Sequence, residues 1–209
     1  MFCYPGGTGL DRTARRYQLT QNFLSDLGMT VAYNGQANRI GASLFVVSLV
    51  VLVIGFGMTM WWFIRLYSNT PTTRNLAWGA GVVGLAVCLS FVGVALTPEN
   101  AAMGLHGQFT LFAFRAFPVA CVLLFFAAWK SGVATARVTL VWLFAALLLS
   151  AYVVFLGIGP SARTPEGLVA AVIAQKLVSV VIVVALTYIC RATAQSLIPT
   201  VRPYPSPKP

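Results

Sequence analysis

Arg115 and Lys176 are the two residues of this chain whose type and position most clearly suggest chemistry, because each lies inside a long apolar run. Each lies about ten residues from the predicted start of its helix, or roughly 15 Å at 1.5 Å per residue. A cation at this depth in a membrane costs at least about 2.5–3.5 kcal/mol unless it meets water, an anion or a lipid headgroup. The apolar runs contain no acidic residue. The two cations therefore predict a site for a lipid phosphate or a small anion, with outward snorkelling or a structural contact to loop acids as the alternative.

Polar residues near these cations extend the predicted site. Gln108 precedes Arg115 by seven residues and shares its helix face, while Lys176 begins a partly polar stripe that continues through Ser179 and Thr187. This pattern predicts an outward-open cleft between the third and the last apolar run. Asn22 in the N-terminal segment is a further candidate ligand-binding residue.

A catalytic alternative centres on His106, the one histidine of the chain. With Glu99 or Asp26 beside it, His106 could act as a general base on an outer-leaflet lipid ester or phosphate. A histidine at an interface is more often a structural hydrogen-bond donor. Catalytic zinc usually takes three protein ligands, and the sequence has no Gly-x-Ser-x-Gly elbow, P-loop or dinucleotide fingerprint. We therefore expect neither a metal ion nor a cofactor.

The composition places these residues in a membrane protein. Of the 209 residues, 58% are hydrophobic and 9% are charged, against roughly 25% charged in soluble domains. The net charge of +10 comes from cations scattered singly between apolar runs, which excludes nucleic-acid binding, and neither disorder nor a disulfide scaffold fits. We predict an all-α polytopic transmembrane helix bundle with five spans, at about 41–64, 76–96, 109–129, 138–158 and 168–190.

The connections between the spans carry unequal charge. On one side of the predicted bundle, every charged residue is a cation; this side comprises the connections at 65–75 and 130–137 and the tail after residue 190. All four acids lie on the other side, in the connections at 97–108 and 159–167 or in residues 1–40. The positive-inside rule then predicts a plasma-membrane protein with a cytoplasmic C-terminus. The domain organisation follows as an extracytoplasmic segment at 1–40, the bundle at 41–190 and a basic, Pro-rich cytoplasmic tail at 191–209, extended over 199–209.

The N-terminal segment contains a helical pattern at residues 17–28. Leu19, Phe23 and Leu27 recur at intervals of four residues, and the intervening residues are mostly polar. This spacing predicts a short amphipathic helix at the membrane interface, ended by Gly28 in a left-handed conformation. It could be a surface cover for the bundle or a lid over a cavity.

Three short motifs in this segment resemble a known family. Tyr4-Pro-Gly-Gly-Thr8, Gln21-Asn-Phe-Leu-Ser-Asp-Leu-Gly28 and Tyr33-Asn-Gly-Gln-Ala-Asn38 resemble the first external loop of the bacterial domain-of-unknown-function family 998, grouped with the Frag/DRAM/Sfk-like proteins. Thr97-Pro-Glu-Asn100 and His106 resemble its second external loop. The resemblance implies six helices, the first directly before Tyr4. This agrees with the hypothesis that a first helix is missing and that the complete protein has six spans with both ends inside; a natural five-span protein is the alternative. The resemblance implies no activity.

Three functions are compatible with these features. We favour a non-enzymatic lipid- or anion-binding sensor, or an accessory subunit of a membrane complex, whose partners are membrane lipids and other membrane proteins and not nucleic acid. A membrane-embedded enzyme acting through His106 with Glu99 or Asp26 is the first alternative. A small transporter is the second, although the short or broken helices typical of transporters are missing apart from Pro118.

Overall fold

Five long helices dominate the part of the chain that the structure describes. The computed structural model describes residues 1–197, and the extended tail predicted at 199–209 lies outside them. All five helices are long and apolar enough to cross a membrane, which confirms the predicted helical bundle. Each extends beyond its predicted span: α1 is Arg39–Tyr67, α2 Pro71–Leu96, α3 Glu99–Ser131, α4 Ala136–Ile158 and α5 Pro165–Leu197.

The short connections contain residues that start and stop helices. Thr70 accepts a hydrogen bond from the backbone amide of Thr73, and Pro71 occupies the first turn of α2, where its missing N–H has no cost. Thr135 caps α4 in the same way. Gly132 ends α3 with a φ of +66°, a conformation that glycine adopts without strain. The connections are therefore tight, and consecutive helices run antiparallel.

The helices pack mainly against their neighbours in sequence, with α2 between α1 and α3 and α4 between α3 and α5. An aromatic cluster joins α1 to α4, since the Phe63 ring lies 5.1 Å from Trp142 and 5.6 Å from Tyr67, measured between centroids. Fully buried alanines on α2 and α3 are small enough to allow close approach of neighbouring helices; they are Ala77, Ala80, Ala113, Ala120 and Ala127. The bundle core thus combines large aromatic rings with small residues.

Residues 1–38 form a compact layer over one end of the bundle, which we call the N-terminal cap. The cap contacts the starts of α1 and α3 and the first turns of α5. All four acidic residues lie at this end, whereas Arg65, Arg74, Lys130 and Arg137 lie at the other. The structure therefore places the acids and these four cations at opposite ends of one bundle.

The prediction of an amphipathic helix at residues 17–28 is wrong. Only Ser25–Gly28 is helical, as one 3₁₀ turn, and the residues before it form turns. Asn22 and Asp26, assigned by periodicity to a polar outer face, are buried, whereas Leu19 is 61% exposed. The side chains of Asn22 and Asp26 form hydrogen bonds with nearby backbone groups. Such bonds compete with the backbone hydrogen bonds of an α-helix.

Gly28 has a different role from the one its position suggested. It is not among the glycines with positive φ. Instead, a Cβ at this position would overlap the Phe45 ring of α1. Gly28 therefore allows the cap to rest directly on the bundle.

We expect Gly28→Ala to loosen the cap by about 1–3 kcal/mol, the usual cost of overpacking a filled space. The measurement is hydrogen exchange of the Leu27 and Met29 amides in detergent-solubilised protein. Gly9→Ala is the control, because the nearest atom to its Cβ would be 3.9 Å away. Equal exchange in Gly28→Ala and wild type would contradict this packing.

Candidate functional site

Lys176 ties α5 to the cap. Its Nζ donates a hydrogen bond to the carbonyl of Leu19 at 2.8 Å and another to the carbonyl of Asn22. The same ammonium lies 5.2 Å from the centroid of the Tyr17 ring, a cation–π distance. A cation in an apolar helix needs polar partners, and Lys176 finds them within the chain, at two backbone carbonyls and an aromatic ring.

Gln175 provides a second tie beside Lys176. Its Oε1 accepts a hydrogen bond of 2.9 Å from the backbone amide of Leu24, at the start of the 3₁₀ turn. Two successive side chains of α5 thus hold the segment 19–24: Lys176 donates hydrogen bonds to it, and Gln175 accepts one from it. Gln175 is not among the residues predicted for the site, although a polar residue directly before Lys176 in an apolar run is a visible signal.

Asn22 is the centre of the cap's hydrogen bonds and has no exposed surface. Its Nδ2 donates to the carbonyl of Gly7 at 3.0 Å and to Asp26 Oδ2 at 2.8 Å, while its Oδ1 accepts from the Gln18 amide at 2.9 Å. These bonds use both amide hydrogens. Asn22, predicted as a ligand-binding residue, is therefore bonded within the cap.

The Tyr-Pro-Gly-Gly-Thr motif forms the loop that Asn22 holds. Gly6 and Gly7 have φ values of +130° and +84°, which strain any residue with a side chain. The Tyr4 ring meets Tyr17 edge-on at 5.8 Å between centroids, and the Tyr17 hydroxyl donates to the carbonyl of Asn22 at 2.9 Å. The motif residues quoted for the family resemblance are thus the structural core of the cap.

Asp26 is a nearly buried acid, with 1% of its surface exposed. Its Oδ2 accepts hydrogen bonds from Asn22 and from the Phe23 amide at 3.1 Å, but its Oδ1 has no partner. Burial raises the pKa of this carboxyl to about 7; the nearby charge of Glu99 also raises it, and the Asn22 hydrogen bond and Lys176 oppose the shift. Asp26 therefore titrates near neutral pH.

Glu99 and Asn100 attach the start of α3 to the cap. Glu99 Oε2 accepts from the Ser25 hydroxyl at 3.2 Å. Asn100 accepts from the Thr30 amide at 2.8 Å and donates to the Thr30 hydroxyl at 3.0 Å. Residues of the second predicted external loop therefore meet those of the first.

His106 is buried below this junction, with 5% of its surface exposed. Its Nδ1 lies 2.7 Å from the carbonyl oxygen of Thr97, which can only accept, so Nδ1 carries the proton. Its Nε2 is buried without a partner. The structure does not bring His106 into hydrogen-bond contact with Glu99 or Asp26, and its observed bond is that of a structural donor.

Arg115 lies on a different surface from Lys176. It is exposed and lines a groove of about 100 Å³ between α3 and α4, together with Leu111, Val153, Leu156 and Gly157. Gln108 is also exposed but does not line this groove. The predicted cleft shared by Arg115 and Lys176 is therefore not formed: one cation faces α4, and the other faces the cap.

Within residues 1–197, no three His, Cys, Asp or Glu side chains are placed to hold a metal ion together. Comparison with known proteins finds no matching family model, no similar curated protein and no similar solved structure. The site must therefore be interpreted from its own geometry.

We expect Lys176→Met to release the cap while leaving the helices formed, at a cost of about 1–3 kcal/mol. The substitution removes the donor to the Leu19 carbonyl and one of the two donors to the Asn22 carbonyl, which keeps the bond from Tyr17. The measurement is the rate of tryptic cleavage at Arg15 and Arg16 together with the helical content. Lys130→Met, at the opposite end of the bundle, is the control. Unchanged cleavage in Lys176→Met would contradict the proposed tie.

Asp26 makes the stability of the cap depend on pH. Because its pKa in the folded cap lies above the ordinary value of 3.8, folding binds a proton between these values, and stability falls as pH rises from about 4 to 7. The slope is at most about 1.4 kcal/mol per pH unit. Asp26→Asn should abolish it, measured by hydrogen-exchange protection factors of cap amides.

Asp11→Asn is the matched control for this pH dependence. Hydrogen bonds from the Thr13 hydroxyl and amide hold the pKa of Asp11 below its usual range. Its contribution therefore has the opposite sign and is lost as pH falls. A slope between pH 4 and 7 that persists in Asp26→Asn would assign the effect to another group.

Proposed function

We propose that this chain is a non-enzymatic integral membrane protein that binds the phosphate of an anionic lipid at Arg115 and acts as a sensor or accessory subunit. The observation that carries the proposal is the exposed Arg115 side chain in a groove whose other lining residues are apolar. A guanidinium on the outer surface of a membrane helix requires an anion or water. A phosphate supplies both the charge and the acceptor oxygens that match the donors of arginine.

The position of the groove on α4 supports a lipid ligand. Leu156 and Gly157 line the same groove and belong to the last turn of α4, which ends at Ile158. Arg115 itself is the middle residue of α3, so its side chain reaches a headgroup by snorkelling along the groove toward this end of α4. A Cβ at Gly157 would meet no atom within 4 Å, so the wall of the groove has open space at this residue.

Arg115 is favoured over Lys176 because the Lys176 ammonium already donates to two backbone carbonyls. Gln108 is exposed and lies seven residues nearer the cap on the same helix face, or roughly 10 Å further along α3. It is the candidate for a second contact to the same headgroup. The ligand-binding role thus falls to α3, and the role of Lys176 is structural.

The orientation and the origin of the protein belong to the same proposal. The segregation of acids and cations between the two ends favours a cytoplasmic C-terminus in a bacterial plasma membrane. Membership of the domain-of-unknown-function family 998 stays a prediction from the quoted motifs, two of which contact each other through the bond of Ser25 to Glu99. Other membrane proteins are the expected protein partners.

The enzyme and transporter alternatives have less support from the geometry. A general base needs a partner within hydrogen-bond reach, and His106 bonds instead to the carbonyl of Thr97. Within α3 the non-helical dihedral angles occur at Ala102, near the helix start, rather than at Pro118. No specific observation favours either alternative.

Arg115→Gln tests the proposed function. In nanodiscs containing phosphatidylglycerol and phosphatidylcholine, wild type should retain the anionic lipid through native mass spectrometry, and Arg115→Gln should retain about tenfold less, as for loss of a charged hydrogen bond. Gly157→Leu, which fills the groove without changing the charge, should also reduce retention. Added inorganic phosphate distinguishes a small-anion site, because it would displace the lipid.

Arg163→Gln is the control for this experiment, since Arg163 lies at the same end of the bundle in the α4–α5 connection. It should retain the lipid as wild type does. An equal loss in Arg163→Gln and Arg115→Gln would show general attraction to the bilayer and contradict a specific site. So would full retention in Arg115→Gln.

A further inference from the structure

A second depression lies where the cap meets the start of α3, apart from the Arg115 groove. Its volume is about 380 Å³, within the range of small-ligand sites. Opposite charges and apolar side chains share its lining, which includes Arg12, Tyr33, Glu99, Asn100, Val31 and Met103. Neither proposed role above uses this depression.

The two charges of the depression are available to a ligand. Glu99 Oε2 accepts from Ser25, but within residues 1–197 Glu99 Oε1 has no hydrogen-bond partner. The Arg12 guanidinium likewise donates no hydrogen bond in the described part of the chain, and Arg12 is exposed. An acid and a base that line one depression without bonding to each other can both bind the same molecule.

The backbone that carries these two residues is ordered by hydrogen bonds of the cap. The Thr8 hydroxyl accepts from the Asp11 amide at 2.9 Å, and Asp11 Oδ1 accepts from the Thr13 amide at 2.8 Å, which orders the loop around Arg12. On the opposite wall, Asn100 is bonded to Thr30. Binding therefore requires little ordering of the backbone, which lowers its entropic cost.

We propose that this depression binds a zwitterion with a primary ammonium and a phosphate, that is, a phosphoethanolamine group. The ammonium donates to Glu99, and the phosphate accepts from Arg12. Each charge also rejects ligands of a single sign: Glu99 repels a simple anion and Arg12 a simple cation. The choline analogue has a quaternary ammonium without N–H groups, so it cannot donate to Glu99.

The rim of the depression indicates how such a ligand arrives. Met103 is 65% exposed and Val31 43% exposed, and Met103 lies on the first turns of the membrane-crossing helix α3. Apolar side chains at this junction suit the glycerol and acyl parts of a lipid. The phosphoethanolamine group could belong to a lipid or to a free molecule, and the experiment separates these two sources.

The test uses the full chain in nanodiscs with equal amounts of phosphatidylethanolamine and phosphatidylcholine, examined by native mass spectrometry. Wild type should retain phosphatidylethanolamine in preference, and Glu99→Gln and Arg12→Gln should each reduce that preference about tenfold, as for a lost charged hydrogen bond. Glu99→Gln keeps an oxygen to accept from Ser25, so the cap should remain folded. Glu166→Gln and Arg16→Gln are the matched controls.

Further measurements locate the ligand and identify its source. Oxidation of Met103 by peroxide should be slower with phosphatidylethanolamine than with phosphatidylcholine, whereas oxidation of Met1 should not differ. Free phosphoethanolamine that slows Met103 oxidation in phosphatidylcholine nanodiscs assigns a soluble ligand; protection by the lipid alone assigns the headgroup. Arg115→Gln should leave the preference intact, so failure of the proposed function is distinguishable.

Three results would overturn the inference. The first is equal retention of both lipids by wild type with no protection of Met103 by either form of the ligand. The second is loss of binding in Arg12→Gln but not in Glu99→Gln, which describes an anion site. The third is an equal loss in the variants and in their matched controls.

Discussion

The Lys176 ammonium, a cation within an apolar helix, provides the contact that joins the two parts of this protein. With no acidic residue in the described helix except at its first turn, the ammonium finds acceptors in the backbone carbonyls of Leu19 and Asn22. Those carbonyls belong to turns without regular secondary structure, which have unused acceptors to offer. One contact thus satisfies both parts of the protein. The ammonium gains acceptors in an apolar setting, and the carbonyls of the irregular segment gain a donor.

Asn22 carries this constraint into the rest of the cap. It bonds to Gly7 and Asp26, and its backbone carbonyl faces Lys176 and Tyr17. Because these groups are buried, each lost bond would leave a polar atom without water. This arrangement also buries Asp26, an acid whose second carboxyl oxygen has no hydrogen-bond partner, which is unfavourable. The cap is therefore both fixed in shape and sensitive to its protonation state.

The separation of Arg115 from Lys176 changes the functional interpretation of the bundle. The two residues looked equivalent because both are isolated cations at a similar distance from helix starts. One has its acceptors within the chain, and the other lies in an exposed groove with apolar neighbours. Arg115 therefore carries the proposed lipid contact, while the cap contributes a separate pair of charges at Arg12 and Glu99.

The five helices can be predicted from the sequence alone, because a continuous apolar run of about 20 residues satisfies its backbone hydrogen bonds locally as a helix. The sequence also determined which residues were unusual: His106, Asp26, Asn22 and both cations are rare polar groups beside apolar segments. It misassigned residues 17–28, since periodicity cannot register that Asn22 and Asp26 bond inward. Which of the unusual residues meet depends on the three-dimensional fold, because Lys176 and Asn22 are 154 positions apart. Hydrogen-bond partners across that separation are selected by packing in three dimensions, which local spacing does not encode.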